Sequence, residues 1–235
     1  MTGRMIEFDA NGATAPGYLA TPDGADTAGG PGVVVLHAWW GLTEPFRQVC
    51  DRLAEAEYTA LAPDLYRGKT TASVEEAEAL SSALNQEERV RGDITGALRF
   101  LREHGATSPA NGSGAVGLIG FSMGGAYALA TSVEVSEQVA AVVLFYATYT
   151  GLDFAAARAA YLGHFAENDP FEPPESVAEL ERELQAAGKR ATFYTYPGST
   201  HWFFEPNRPD AYDAAATALA WERTLAFLND ELGRS

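Results

Sequence analysis

Three apolar runs constrain the fold of this chain more than any other feature. Residues 32–37 (GVVVLH), 115–119 (AVGLI) and 139–146 (VAAVVLFY) are almost free of polar side chains. A strand with one wet face alternates polar and apolar residues, whereas an unbroken β-branched run belongs to a strand buried on both faces. Such a sheet needs a layer of helices on each side, and the intervening segments supply them. Residues 45–57 place Phe46, Val49, Cys50 and Leu53 at helical spacing, and 73–84, 87–103, 123–131, 174–187 and 209–228 also read as helices. Ser73 with Glu76 three residues later is a helix-start signature, and Gly188 is a natural stop for 174–187. Residues 59–65, 161–165 and 191–196 complete the buried strands. Residues 5–9 and 17–20, joined through the turn-forming Asn11-Gly12, read as an edge hairpin, and 24–32 (GADTAGGPG) as a surface loop. Strands alternating with helices predict right-handed crossovers and an α/β fold: one domain over residues 1–235, its mostly parallel sheet covered on both faces. A ligand site then belongs at the carboxyl ends of the strands.

Charge narrows the partners. The formal net charge is −16, with Lys69 and Lys189 the only lysines. A field of that sign repels nucleic acid and anionic membranes. No apolar run reaches membrane-spanning length, and the first residues, MTGRMIEFDA, lack the apolar core of a secretion signal. With Cys50 as the lone cysteine, no internal disulfide can form, and its place on the inward face of 45–57 predicts a buried structural thiol. A cytoplasmic protein, monomeric or weakly self-associating, is the expectation.

The chemistry is carried by residues 117–130, GLIGFSMGGAYALA. Gly120-Phe121-Ser122-Met123-Gly124 fits the pattern G-x-S-x-G, here placed between a buried strand and a helix. That context makes it a nucleophile elbow, in which a tight turn lifts the serine hydroxyl clear of the sheet and glycines let backbone segments touch. No phosphate-loop lysine and no dinucleotide spacing accompany it. A serine hydroxyl needs a base to take its proton. Of the two histidines that follow, His164 sits inside the predicted strand 161–165, whereas His201 lies just past strand 191–196 in PGSTHWFFEP, where a mobile base belongs. The acid should leave the end of the preceding strand in HFAENDPFEP. Asp169 and Glu167 both qualify, Asp169 being favoured because Pro170 stiffens its turn; Asp153 is more remote.

An oxyanion hole needs two aimed donors. The Met123 N–H is one, and the other should come from the loop His37-Ala38-Trp39-Trp40-Gly41. Adjacent tryptophans on a strand cannot face the same way, so one should line the pocket. Trp40, Tyr146, Phe171 and Trp202, with Trp39, Tyr149 and Phe203, are the expected lining, and residues 66–73 and 147–160 are candidate loops over its mouth. The four histidines are too scattered to suggest a metal site.

Together, VVVLHAWWGL, APDLYRG, GLIGFSMGGAYALA, HFAENDP and YPGSTHWFFEPNRPDAYDAAATALAWERTLAFL resemble the dienelactone hydrolase family of the α/β-hydrolase superfamily along nearly the whole chain. The resemblance implies a fold without a large cap, cofactor-free hydrolysis of a small ester or lactone, a Ser122–His201–Asp169 triad and, by register, Trp39 as the second oxyanion donor. The best-known members carry a cysteine where Ser122 stands and a glutamate where Ala38 stands. The two departures agree, because a serine needs only the histidine as its base. An arginine that pairs with substrate carboxylate is replaced by Glu205, with Arg208 nearby, which points to a more neutral ester, lactone or thioester. Other readings of the same residues are a non-catalytic ligand-binding protein on this fold and an acyl hydrolase acting on thioesters or peptides.

Overall fold

The computed structural model describes residues 3–22, 30–84, 87–106 and 114–233. Most of the expected loop at 24–32 lies outside the described residues. The strands are β1 (Arg4–Ala10), β2 (Ala13–Ala20), β3 (Gly32–Leu36), β4 (Thr59–Pro63), β5 (Val116–Phe121), β6 (Val139–Phe145), β7 (Ala160–Asn168) and β8 (Ala191–Thr200). The helices are α1 (Glu44–Glu55), α2 (Val74–Ala83), α3 (Glu87–Glu103), α4 (Met123–Glu134), α5 (Pro174–Ala186) and α6 (Ala214–Leu232). One eight-stranded sheet runs in the order β1-β2-β4-β3-β5-β6-β7-β8. Only the β1–β2 hairpin and its junction with β4 are antiparallel.

The sheet is double-sided for the reason its apolar runs suggested. Along β3, Val33 and Val35 pack with Phe46, Val49 and Leu53 of α1 and Leu228 of α6. Val34 and Leu36 face the other way, onto Ile94 and Leu98 of α3 and Leu129 of α4. Period-two alternation of Cβ directions gives each helical layer half of every strand. Cys50 is fully buried, and burial pushes its thiol pKa upward. Ser73 caps α2 by accepting from the Glu76 N–H at 3.4 Å.

Two of the boundaries that differ from expectation have a cause visible in the hydrogen bonds. The last helix begins at Ala214 rather than near 209, because Asp213 accepts from the N–H groups of Ala215 (2.9 Å) and Ala216 (3.0 Å) and so caps it there. The last strand reads as ending at Tyr196, before Pro197-Gly198, yet β8 continues to Thr200. Its pairing with β7 shifts register between Ala166 and Asn168 and resumes at Asn168 opposite Thr200. This irregularity decides where the functional side chains emerge.

Candidate active site

Ser122 sits between β5 and α4 with φ 48° and ψ −119°. A side chain at positive φ costs about 1–3 kcal/mol and persists only where its surroundings enforce it. Here the Ser122 N–H donates to Phe145 O on β6 (3.0 Å), and the Ser122 carbonyl accepts from the Gly125 N–H (2.8 Å). Glycine is required because the chain crowds itself. A Cβ on Gly124 would meet Leu36 O at 2.3 Å and His37 O at 2.7 Å, and one on Gly120 would meet Gly124 O at 2.5 Å. The first turn of α4 is thereby pressed against the exit of β3.

Because Asn168 and Thr200 are paired, the next residues, Asp169 and His201, leave adjacent strands side by side. His201 Nδ1 lies 2.7 and 2.9 Å from the two Asp169 carboxylate oxygens, and its Nε2 lies 3.0 Å from Ser122 Oγ. A carboxylate facing Nδ1 demands a proton there, which leaves Nε2 to accept from the serine hydroxyl. Asp169 Oδ1 also accepts from the N–H groups of Phe171 (2.9 Å) and Glu172 (3.1 Å). Both partners of the pair are buried, at 3% and 1% side-chain exposure.

The other candidates lie elsewhere. Glu167 is exposed and accepts from the Gly198 N–H at 2.8 Å, and Asp153 caps a short turn through the Ala155 N–H. His164 is a core residue. Its Nδ1 meets Tyr196 Oη at 2.9 Å, its Nε2 meets Thr224 Oγ1 at 3.0 Å, and burial, aided by Arg223, lowers its pKa to about 3.

Aromatic rings enclose the imidazole. Ring centroids of Tyr146 and Phe171 lie 4.8 Å from that of His201, and Trp202 lies 5.0 Å away. Phe171 is 49% exposed, while Trp39 and Trp202 are half-buried and stack on each other. Trp40, Tyr146 and Phe203, expected to line the pocket, are buried and back this wall instead of offering it a free face. Trp39 and Trp40 contact each other edge-on at 5.3 Å because they stand in a turn after β3, where strand alternation no longer separates neighbours. Residues 66–73 and 147–160 border the site. Thr71 N–H donates to Trp40 O (3.1 Å), Tyr66 Oη reaches Met123 Sδ (3.6 Å), and Thr148 donates to the Glu172 carboxylate.

Three polar groups are buried in a way that the sequence reading did not assign. Fully buried His37 joins the exits of β3 and β4, with Nδ1 donating to Ala38 O (2.7 Å) and Nε2 accepting from the Leu65 N–H (3.3 Å); burial holds its pKa below the usual value. Glu172 is raised to about 7 by burial, reinforced by Asp169 and opposed by Thr148. Glu205 is raised to about 8, again by burial first, against the pull of Tyr146 and Arg208. The Arg208 guanidinium lies over the rings of Trp40 (4.2 Å) and Trp202 (4.8 Å) and donates to Ala72 O (3.1 Å). His37 carried a signal of burial, a polar residue ending an apolar run. Glu172 looks like a loop residue in the sequence, and Glu205 stands out there only as the residue in place of an arginine.

Comparison with known proteins agrees with this architecture. The chain is 32% identical to protein usf of Aquifex pyrophilus, over 98% of this chain and 99% of that one. It is 30% identical, with the same coverage, to an Aquifex aeolicus (strain VF5) protein named provisionally as a carboxymethylenebutenolidase. A solved dienelactone hydrolase-like promiscuous phosphotriesterase from metagenomic libraries superposes with a TM-score of 0.82 at 21% identity, covering 98% of each chain, and so shares the fold. The sequence profile of the dienelactone hydrolase family matches residues 15–232. With that match spanning nearly its whole length, the chain belongs to the dienelactone hydrolase family, on an α/β-hydrolase fold.

Proposed function

We propose that the protein is a serine hydrolase that cleaves a carboxylic ester or lactone through an acyl-enzyme. The observation that carries this reading is the unbroken relay from Ser122 Oγ through His201 to Asp169, at 3.0 and 2.7 Å. Ser122 Oγ attacks the carbonyl carbon as His201 Nε2 takes its proton, and Asp169 steadies the imidazolium that forms. The N–H groups of Met123 and Trp39 receive the developing oxyanion. The first N–H groups of a helix have no partner inside it, so the start of α4 offers donors and the positive end of a dipole. The tetrahedral intermediate collapses, and the proton on His201 passes to the departing alkoxide; in a lactone that alcohol stays tethered to the acyl group. Water then enters, gives its proton to His201 and attacks the acyl carbon. Collapse releases the acid and returns the proton to Ser122 Oγ.

A neutral substrate is favoured over a carboxylate-bearing dienelactone. Glu205 is buried where an arginine would be needed, and Arg208 is engaged by two indoles and a carbonyl. The aromatic rim of Trp39, Phe171 and Trp202 suits a flat or apolar group, which it would contact without any metal or cofactor. Labelling with a fluorophosphonate, alongside hydrolysis of aryl esters, lactones, thioesters and peptide amides, tests the reading. Wild type should label and turn over esters, and Ser122→Ala should do neither. A Ser122→Ala protein with near-normal esterase activity would refute the assignment, and a wild type that binds esters without labelling or turnover would make this a binding protein.

A further inference from the structure

A cleft of about 350 Å³ lies along α4, outside the Ser122–His201–Asp169 cluster. Its head is Met123, the residue directly after the serine, and Ala126, Ala130 and Glu134 continue along one face of the helix. Residues three and four apart share a helix face, so this is one continuous floor. At 1.5 Å per residue the 12 residues of α4 rise about 18 Å. Ile94 of α3 forms one wall, and Tyr149 and Leu152, from the connection after β6, form the other. The far end is polar, closed by the Arg91–Glu134 ion pair at 2.9 Å.

Resting on the hydrolase reading, we propose that this cleft is a subsite for an unbranched apolar chain of the ester substrate. Four features support that occupant. The floor starts at the residue whose N–H would hold the oxyanion, so a carbonyl at Ser122 and a chain in the cleft can belong to one molecule. The volume falls in the range of small-ligand sites, about 300–1,000 Å³. Ala126 and Ala130 stand among the bulkier Ile94, Tyr127, Tyr149 and Leu152, so part of the floor carries only methyl groups. Met123 at the head is unbranched, with three rotatable bonds and a polarizable sulfur, and such a side chain re-packs readily around an apolar guest. Burying each methylene there is worth about 0.8 kcal/mol, close to a fourfold gain per carbon. The chain can come from the acyl or the alcohol side of the ester.

Ethyl acetate, ethyl hexanoate and hexyl acetate, hydrolysed by wild type, Ala130→Trp and Leu152→Trp and followed by proton release, test the subsite. Both substitutions fill the cleft, one from the floor and one from the wall, and a melting curve shows which variants are folded. In a folded variant, kcat/KM for one of the two esters with a six-carbon chain, relative to ethyl acetate, should fall at least tenfold. The ester affected identifies the acyl or the alcohol side as the source of the chain. Ratios within twofold of wild type for both long esters would overturn the subsite. Calorimetric titration of Ser122→Ala and Ser122→Ala/Ala130→Trp with the same esters reads binding without turnover. There the long ester should bind at least fivefold more weakly to the double variant, and equal binding would overturn the subsite. Should wild type hydrolyse none of the esters and take no fluorophosphonate label, the hydrolase reading fails, while the titration still decides the cleft.

Discussion

The phenol of Tyr146 donates a 2.8 Å hydrogen bond to Glu205 Oε1, while its ring packs against the His201 imidazole. The other carboxylate oxygen, Oε2, is buried with no hydrogen-bond partner. A carboxyl so placed keeps its proton to about pH 8, whereas in the unfolded chain it loses it near pH 4.3. Between those values the folded state binds the extra proton, so this group's contribution to stability declines as pH rises, by up to about 1.4 kcal/mol per pH unit. Glu205→Gln keeps an acceptor for Tyr146 and removes the titration. Its melting temperature relative to wild type should climb steadily from pH 5 to pH 8. Parallel melting curves for the two proteins across that window would show that Glu205 is not held protonated.

Strain at Ser122 gives a prediction of opposite sign for stability and activity. Glycine adopts positive φ without steric cost. Ser122→Gly should therefore raise the free energy of unfolding by about 1 kcal/mol or more, read as a higher urea midpoint at unchanged slope. Hydrolysis should meanwhile drop by about 10⁴-fold or more, as in removal of a nucleophile generally. A variant no more stable than wild type would mean that the elbow stores no strain.

Gly124 is constrained by space rather than by φ. Gly124→Ala drives a methyl group into the carbonyls of Leu36 and His37, which are backbone and cannot swing aside. Overpacking costs typically about 1–3 kcal/mol, and a rigid neighbour puts this site at the upper end. Displacing the start of α4, which carries the Met123 N–H, should also lower kcat more than it raises KM. Chemical denaturation and steady-state kinetics on one preparation check both.

Asp169 and Glu167 separate cleanly. Asp169→Asn presents an amide to His201 Nδ1 and favours the wrong tautomer, with an expected loss of about 10³–10⁴ in kcat. Glu167→Gln retains an acceptor for the Gly198 N–H and should stay within about twofold of wild type. Comparable losses in the two variants would reassign the acid.

Much of this site is local in origin and therefore legible in one dimension. An apolar run, a serine flanked by glycines and an alanine-rich stretch together specify strand, turn and helix through neighbours only, and residues 117–130 fold as they read. Pro197-Gly198 reads as the end of a strand on the same local logic, and there the logic fails. The β7 partner continues past the irregularity, so its hydrogen bonds carry β8 on to Thr200. The pocket lining is misread for a related reason. Whether Trp40 or Trp202 faces solvent depends on Arg208 and on the turn after β3, which lie far apart in the chain.

By itself the sequence determined a double-sided, mostly parallel sheet, the strand–turn–helix around Ser122 and the position of His164 inside a strand with His201 beyond one, because each follows from periodicity and from residues within a few positions of one another. Only the tertiary structure put Asp169 rather than Glu167 against His201, buried Tyr146 and Trp40, and took the Glu205 carboxyl out of water. Those outcomes depend on strand register and desolvation, and both are set by segments that meet only once the chain has folded.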